Sequence, residues 1–195
     1  MKYGATIYIT MAVIAICILV WCCAGPSKNP PEHQKVEDLL RNGMLNHISD
    51  LVVKHSKGQR SRAEALEQAS AIICAASKYD IDWRIIYALA RTEVPNFDYS
   101  YHHVYTEGKH IGKHDGYGNM QVLLSTARMF EPNICERSLT VPSKNYDIGT
   151  AYFVSMYKYF GTTGKAIMAY KRGYNSAEHD KTHLKLFRKF RGELK

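Results

Sequence analysis

The chain has 195 residues, 23% of them charged, and a formal net charge of +8 at pH 7. That length holds one globular domain with a short appendage, because a single core of this size already buries well over half of the surface its unfolded chain exposes. With no internal repeat or low-complexity tract, solenoid and repeat architectures are excluded, and the positive balance favours an anionic partner: nucleic acid, an anionic lipid surface or a carboxylate-bearing polymer.

Residues 3–24 (YGATIYITMAVIAICILVWCCA) carry no charge. They are long enough to cross a bilayer as a helix, which takes about 20 apolar residues. Only Lys2 and the amino terminus precede them, a polarity that leaves the N-terminus in the cytoplasm and exports the body of the chain. The apolar run exceeds the roughly 7 to 15 residues of a signal-peptide core, so an uncleaved anchor is the expectation; a signal peptide cut near Cys22-Cys23-Ala24 is the alternative. Bulky Trp21 before Cys22 argues against a lipoprotein. Cys17, Cys22 and Cys23 lie in this segment, leaving Cys74 and Cys135 in the exported part, where they either pair in an oxidising compartment or remain buried free thiols.

GPSKNPP then ends the span and begins a short extended linker. Val36, Leu39, Leu40, Ile48, Leu51 and Val52 follow at helical spacing, interrupted by Gly43, which predicts one kinked or two short helices forming a stalk or packing on the domain. Ser61 and Glu64 have capping-box spacing, so a helix is expected to run from there to about Lys78 with Ala65, Leu66, Ala69, Ile72, Ile73 and Ala76 inward. Asp80 and Asp82 stand where an N-cap belongs, and the second starts a helix over residues 83–93 that Pro95 helps to end. Residues 96–118 are rich in Tyr, His and Gly without apolar period and read as an extended loop. Helices are predicted over residues 125–130, 146–160 with Gly161 as stop, and 165–171, with one more in the tail carrying Leu184, Phe187 and Leu194 on one side. Almost nothing alternates as a strand would, so the fold class is mainly α.

Within this pattern Glu93 closes the apolar stretch DIDWRIIYALARTE, flanked by Ile86, Tyr87 and Leu89. A carboxyl at a helix end among such neighbours is expected to have its pKa raised by desolvation and to serve as an acid, the chemistry of glycan cleavage. Its plainer alternative is a solvated helix-end carboxylate.

Four segments in order, AIICAASKYDIDWRIIYALARTE, GYGNMQVLLSTARMF, NYDIGTAYFVSMYKYFG and AIMAYKRGYN, span residues 71–175. Together they resemble the catalytic domain of the lytic transglycosylases, relatives of goose-type lysozyme, over somewhat more than half of the chain; no one segment is specific, but four in sequence are. The resemblance implies a lysozyme-like helical domain in which Glu93 is the sole catalytic carboxyl. It would protonate the glycosidic oxygen between N-acetylmuramic acid and N-acetylglucosamine, then take the proton of the sugar's own C6 hydroxyl, so that a 1,6-anhydro ring forms with help from the N-acetyl group. This differs from the two-carboxylate glycosidase scheme. Gly118, Met120 and Gln121 match the family's GLMQ turn, which implies that the glycine lets the backbone approach the sugar and that Met120 and Gln121 line the cleft; Met120 in the core is the plainer reading. Tyr170 matches the tyrosine of the family's AYN motif, implying a hydrogen bond near the carboxyl. Three positions depart from the pattern: Asn119 replaces the common Leu, Val94 stands where serine usually follows the glutamate, and Lys171 replaces the asparagine of AYN.

The loop after Glu93 is longer than the family's usual spacing and holds His102, His103, Glu107, His110, His114 and Asp115. These invite a zinc hypothesis, but the spacing fits no metal motif, so neither a metal nor a cofactor is expected. Asp115 or Glu107 as a second carboxylate positioning water would make the enzyme a hydrolysing muramidase. The basic tail LKLFRKFRGELK is read as a solvated helix face closing the domain, with anionic lipid or polymer as alternative contacts; nucleic acid is disfavoured by the exported topology.

The expected organisation is therefore an N-terminal transmembrane anchor or signal segment at 1–25, a linker and stalk helix at 26–60 and the lysozyme-like domain at 61–195. The expected activity is peptidoglycan lytic transglycosylation from the inner membrane into the periplasm, with the secreted periplasmic form or a virion membrane as alternatives. Small size without an added wall-binding module fits a hole-cutter serving a secretion, conjugation or phage assembly. The competing readings are the muramidase and a non-catalytic peptidoglycan-binding scaffold, the latter motivated by Val94 and Lys171.

Overall fold

Ser61 opens a helix because its side chain accepts from the Glu64 amide while the Glu64 carboxylate accepts from the Ser61 amide, satisfying two otherwise unpaired donors. In the structure, a computed structural model that describes residues 32–98, 102–103, 116–173 and 181–194, this is the second of eight described helices: α1 (Glu32–His55), α2 (Arg62–Tyr79), α3 (Trp83–Glu93), α4 (Leu124–Arg128), α5 (Glu136–Leu139), α6 (Pro142–Phe160), α7 (Thr163–Arg172) and α8 (Lys181–Gly192). Three two-residue strands, β1 (His102–His103), β2 (Gly116–Tyr117) and β3 (Val122–Leu123), form an antiparallel sheet in that order. Tyr117 pairs with His102 on one side and Val122 on the other.

Two compact units divide the chain, Met1–Asn42 and Gly43–Lys195, and the core lies in the second. There α2 packs along α6, α6 along α7, and α8 against both α3 and α7. Ile72, Ile86, Leu89, Phe97, Tyr146, Phe153 and Ile167 are all buried at the centre, and full burial of a side chain of this kind stabilises by about 1.5 to 3 kcal/mol. Ile48 and Val52 of α1 join the same core, so this part of α1 packs on the domain. The helix runs unbroken through Gly43, which corrects the expected interruption there.

The α2 stripe is Ala65, Gln68, Ala69, Ala71, Ile72 and Ala75, with Leu66, Ile73 and Ala76 only half-buried. Gln68 turns inward because it has polar partners inside, which periodicity of apolar residues does not reveal. Helix α6 starts at Pro142 in its first turn, four residues before the predicted start, and stops at Gly161 with φ 71° as expected. The short α5 and the sheet were not anticipated; elements of two to four residues are too short to carry a period. Cys74 and Cys135 are exposed and form no disulfide with each other. The apolar segment 3–24 and residues 104–115 of the long loop, with Glu107, His110, His114 and Asp115, lie outside the described residues. Among the described residues no helix is long and apolar enough to cross a membrane, and no group of His, Cys, Asp or Glu side chains is placed to hold a metal ion.

Candidate active site

Helix α3 is set by Asp82, whose carboxylate accepts from the Arg84 amide at 3.0 Å, and its apolar face of Ile86, Leu89 and Ala90 is buried. This anchoring fixes where its last residue, Glu93, emerges. The Glu93 side chain is only 2% exposed and is held between two other helices: Lys171 Nζ of α7 donates to Oε2 at 2.9 Å, and His183 Nε2 of α8 lies 3.0 Å from Oε1. The His183 contact is an ion pair only when the imidazole carries a proton. His183 is itself 7% exposed, whereas Lys171 is 44% exposed.

Burial is the largest single influence on the carboxyl and pushes its pKa up, but His183 and Lys171 together outweigh it and hold Glu93 below its ordinary value of 4.5. This corrects the expectation of a raised pKa: the helix end is indeed desolvated, yet His183 and Lys171, from distant segments, reverse the sign. The resting group is a carboxylate. Because its folded pKa lies below the unfolded one, the pairing contributes stability above about pH 4.5 and loses it as pH falls through the folded value. In denaturant titrations between pH 7 and pH 3, the wild type is expected to lose more stability below pH 4.5 than Glu93→Gln does; parallel losses would show that the pairing contributes nothing.

The turn Gly118-Asn119-Met120-Gln121 joins β2 to β3. Its anchor is Asn145 of α6, which accepts from the Met120 amide at 2.8 Å and donates to the Tyr117 and Leu139 carbonyls at 2.8 and 2.9 Å. A methyl group at Gly118, where φ is 64°, would stand 2.5 Å from Asn145 Cγ, so the missing side chain admits the asparagine. This differs from the implied role of letting the backbone approach a sugar. Met120 is fully buried against Gly149, placing it in the core and correcting the expectation that it lines a cleft. The Gln121 amide donates to the Gly118 carbonyl at 2.8 Å, folding the side chain back over its own turn.

Tyr170 donates to the Met120 carbonyl at 2.6 Å. Its hydroxyl therefore steadies the turn rather than hydrogen-bonding to the carboxyl, though burial first and the nearby Glu93 charge second push its pKa well up. Asn119, the departure from Leu, donates to Gln68 Oε1 at 2.5 Å and to the Tyr146 hydroxyl at 3.1 Å, while Gln68 Nε2 donates to the Phe97 carbonyl at 3.0 Å. Phe97 has φ 54°, a strained setting for a bulky residue. The Gln68 bond and the Tyr87 ring, 4.9 Å away centre to centre, hold it there. Val94 is buried at the end of α3.

The structure links Tyr170 to the Gly118–Gln121 turn by a hydrogen bond and places it within reach of the Glu93 charge. It adds Lys171, His183, Asn145 and Gln68. Lys171 was visible as a departure but not as a partner of Glu93. His183 was detectable in principle, since 183, 187, 190 and 194 are spaced as one helix face and Phe187, Phe190 and Leu194 are buried with it. Two surface depressions, one of about 510 Å³ beside Arg84, Leu184 and Arg188 and one of about 560 Å³ beside Glu67, Cys74 and Asp147, do not include Glu93.

The arrangement presents a desolvated carboxyl, a group that can give and take a proton, with His183 and Lys171 holding its pKa below the ordinary value. A family model described as Transglycosylase SLT domain matches residues 70–187, which include Glu93, the turn, Lys171 and His183. No curated protein and no solved structure matches the chain.

Proposed function

The chain belongs to the Transglycosylase SLT domain family and carries a peptidoglycan-degrading, lytic transglycosylase-type catalytic domain, and from that premise we propose that Glu93 is its acid and that the products end in 1,6-anhydro-muramic acid. The proposed bond is the β-1,4 linkage from N-acetylmuramic acid to N-acetylglucosamine. Neutral Glu93 protonates the glycosidic oxygen; the resulting carboxylate removes the proton of the C6 hydroxyl, whose oxygen closes on the anomeric carbon. One group gives and regains one proton, so the cycle consumes no water. The observation that carries this reading is the desolvated carboxyl at the end of α3, held between Lys171 and His183 with Tyr170 nearby.

The wider setting belongs to the same proposal. Residues 1–25 anchor the protein in the inner membrane or are removed as a signal segment, residues 26–60 link and support, and the domain at 61–195 works on glycan strands in the periplasm. It opens the wall locally for an envelope-crossing secretion, conjugation or phage assembly. Mass spectrometry of the soluble fragments released from purified sacculi tests the chemistry. Anhydro ends are the expected result, reducing ends would establish a hydrolysing muramidase, and wall binding by folded protein without any fragment would establish a scaffold.

A further inference from the structure

We propose that the cavity of about 510 Å³ lined by α3, α7 and α8 is a carboxylate-binding site, and that its ligand is the free carboxyl end of a peptide stem on the glycan strand. The choice of ligand rests on the reading of the domain as peptidoglycan-degrading; the site itself is built from side chains other than Glu93 and its partners. Arg84 of α3, Arg188 and Arg191 of α8, Thr163 and Gly164 of α7, and Phe187 line it. The arginines are exposed and Phe187 is buried, so the cavity has a charged rim and an apolar base.

Three guanidinium groups meet one carboxylate at this rim. Arg84 Nε donates to Asp82 Oδ1 at 3.0 Å, and Arg191 Nη2 lies 3.6 Å from Asp82 Oδ2. Among the described residues the Arg188 side chain has neither a hydrogen bond nor an ion pair, so positive charge is left over. Arg188 also reaches the start of α7, its Nη2 lying 4.0 Å from where a Cβ on Gly164 would stand. In that first turn the Thr162 side chain accepts from the Lys165 amide at 3.4 Å and the Thr162 carbonyl from the Ala166 amide at 3.0 Å. The Thr163 and Gly164 amides remain as donors that a helix start cannot pair within itself. A guanidinium fork beside two such amides complements a carboxylate, whose two oxygens accept from both.

Charge and shape select the stem end over the other anions of an envelope. The cavity falls in the range of about 300 to 1,000 Å³ that small-ligand sites occupy, and its apolar base suits an alkyl side chain next to the carboxylate. A helix that binds a bilayer lays an apolar face into the lipid, but α8 spends that face on the core, where His183, Phe187 and Phe190 are buried. Arg84 is in the first turn of α3 and Glu93 is its last residue, which separates them by about 13 Å along the axis at 1.5 Å per residue. The cavity therefore holds a group remote from the bond that is cut, and binding there positions the strand.

Calorimetric titration of the full-length protein with peptide stems released from sacculi by an amidase tests the site. Saturable binding is expected, weakened about tenfold by Arg188→Gln, the loss of one charge-assisted contact. Arg188→Lys keeps the charge without the fork and is expected to recover part of the loss, and stems with their carboxyls amidated are expected to bind at least tenfold more weakly. The Arg188 side chain makes no contact that the fold depends on, so the variant reads binding and not folding. Absence of saturable binding, or binding unmoved by both Arg188→Gln and amidation, would overturn the proposal. So would binding to phosphatidylglycerol vesicles that Arg188→Gln abolishes while stems do not bind, which would make the cavity a lipid site. Fragment release from sacculi, measured on the same preparations, tests the functional reading apart from the site: stem binding without release defeats that reading and supports the site, whereas release without stem binding overturns the site alone.

Discussion

Glu93→Gln is expected to reduce fragment release from sacculi by about 10³-fold, within the range lost when a general acid is removed. Glutamine matches the size of glutamate and still accepts from Lys171, but it carries no proton to give, and in the proposed reaction the same group must also act as the base. Both halves of the reaction are therefore lost with one atom change. The fold should persist. Breaking a fully buried pair is costly because a charge is left without its partner, yet here Lys171 is 44% exposed and can turn to water. Fragment release measured beside far-UV circular dichroism separates the two effects. Activity within tenfold of wild type in a folded Glu93→Gln protein would remove Glu93 from the chemistry.

Asn145→Ala is the substitution expected to cost most in stability. Its carboxamide satisfies the Met120 amide and the Tyr117 and Leu139 carbonyls at once, and it is 1% exposed. Alanine removes all three of these hydrogen bonds from a buried place, and an unsatisfied buried group costs about 1 to 3 kcal/mol. A loss of about 3 kcal/mol is expected, or a fall in Tm of roughly 6 to 12 °C for a domain of this size. The consequence reaches the site, because the turn that Asn145 holds supplies the Met120 carbonyl to Tyr170. Thermal unfolding that shifts by less than 2 °C, on the scale of about 2 to 4 °C per kcal/mol, would show that the turn is held by something else.

The helices were largely legible because their signals are local. Ser61 and Glu64 sit three residues apart, Asp82 precedes the α3 it caps, and Gly161 follows the α6 it stops. Four short segments in order were enough to identify the family that the match over residues 70–187 shows. The roles inside those segments were less legible. Gly118 is glycine at a positive φ, as a turn signal predicts, but the group that fills its empty side is Asn145, on another helix. Tyr170 sits near Glu93, yet its hydroxyl goes to a backbone carbonyl 50 residues away. Gln68 and Asn119, 51 residues apart, meet inside the core, and nothing in the polarity of either predicts burial.

By itself the sequence determined the helical fold class, the position of the candidate acid at the end of α3 and its desolvation, since all three follow from residues within a few turns of one another. Only the tertiary structure decided the charge that the acid carries at rest. A pKa depends on every charge within a few ångströms regardless of separation along the chain, and Lys171, 78 residues from Glu93, and His183, on the last described helix, reach the carboxyl only once α8 has packed against both α3 and α7.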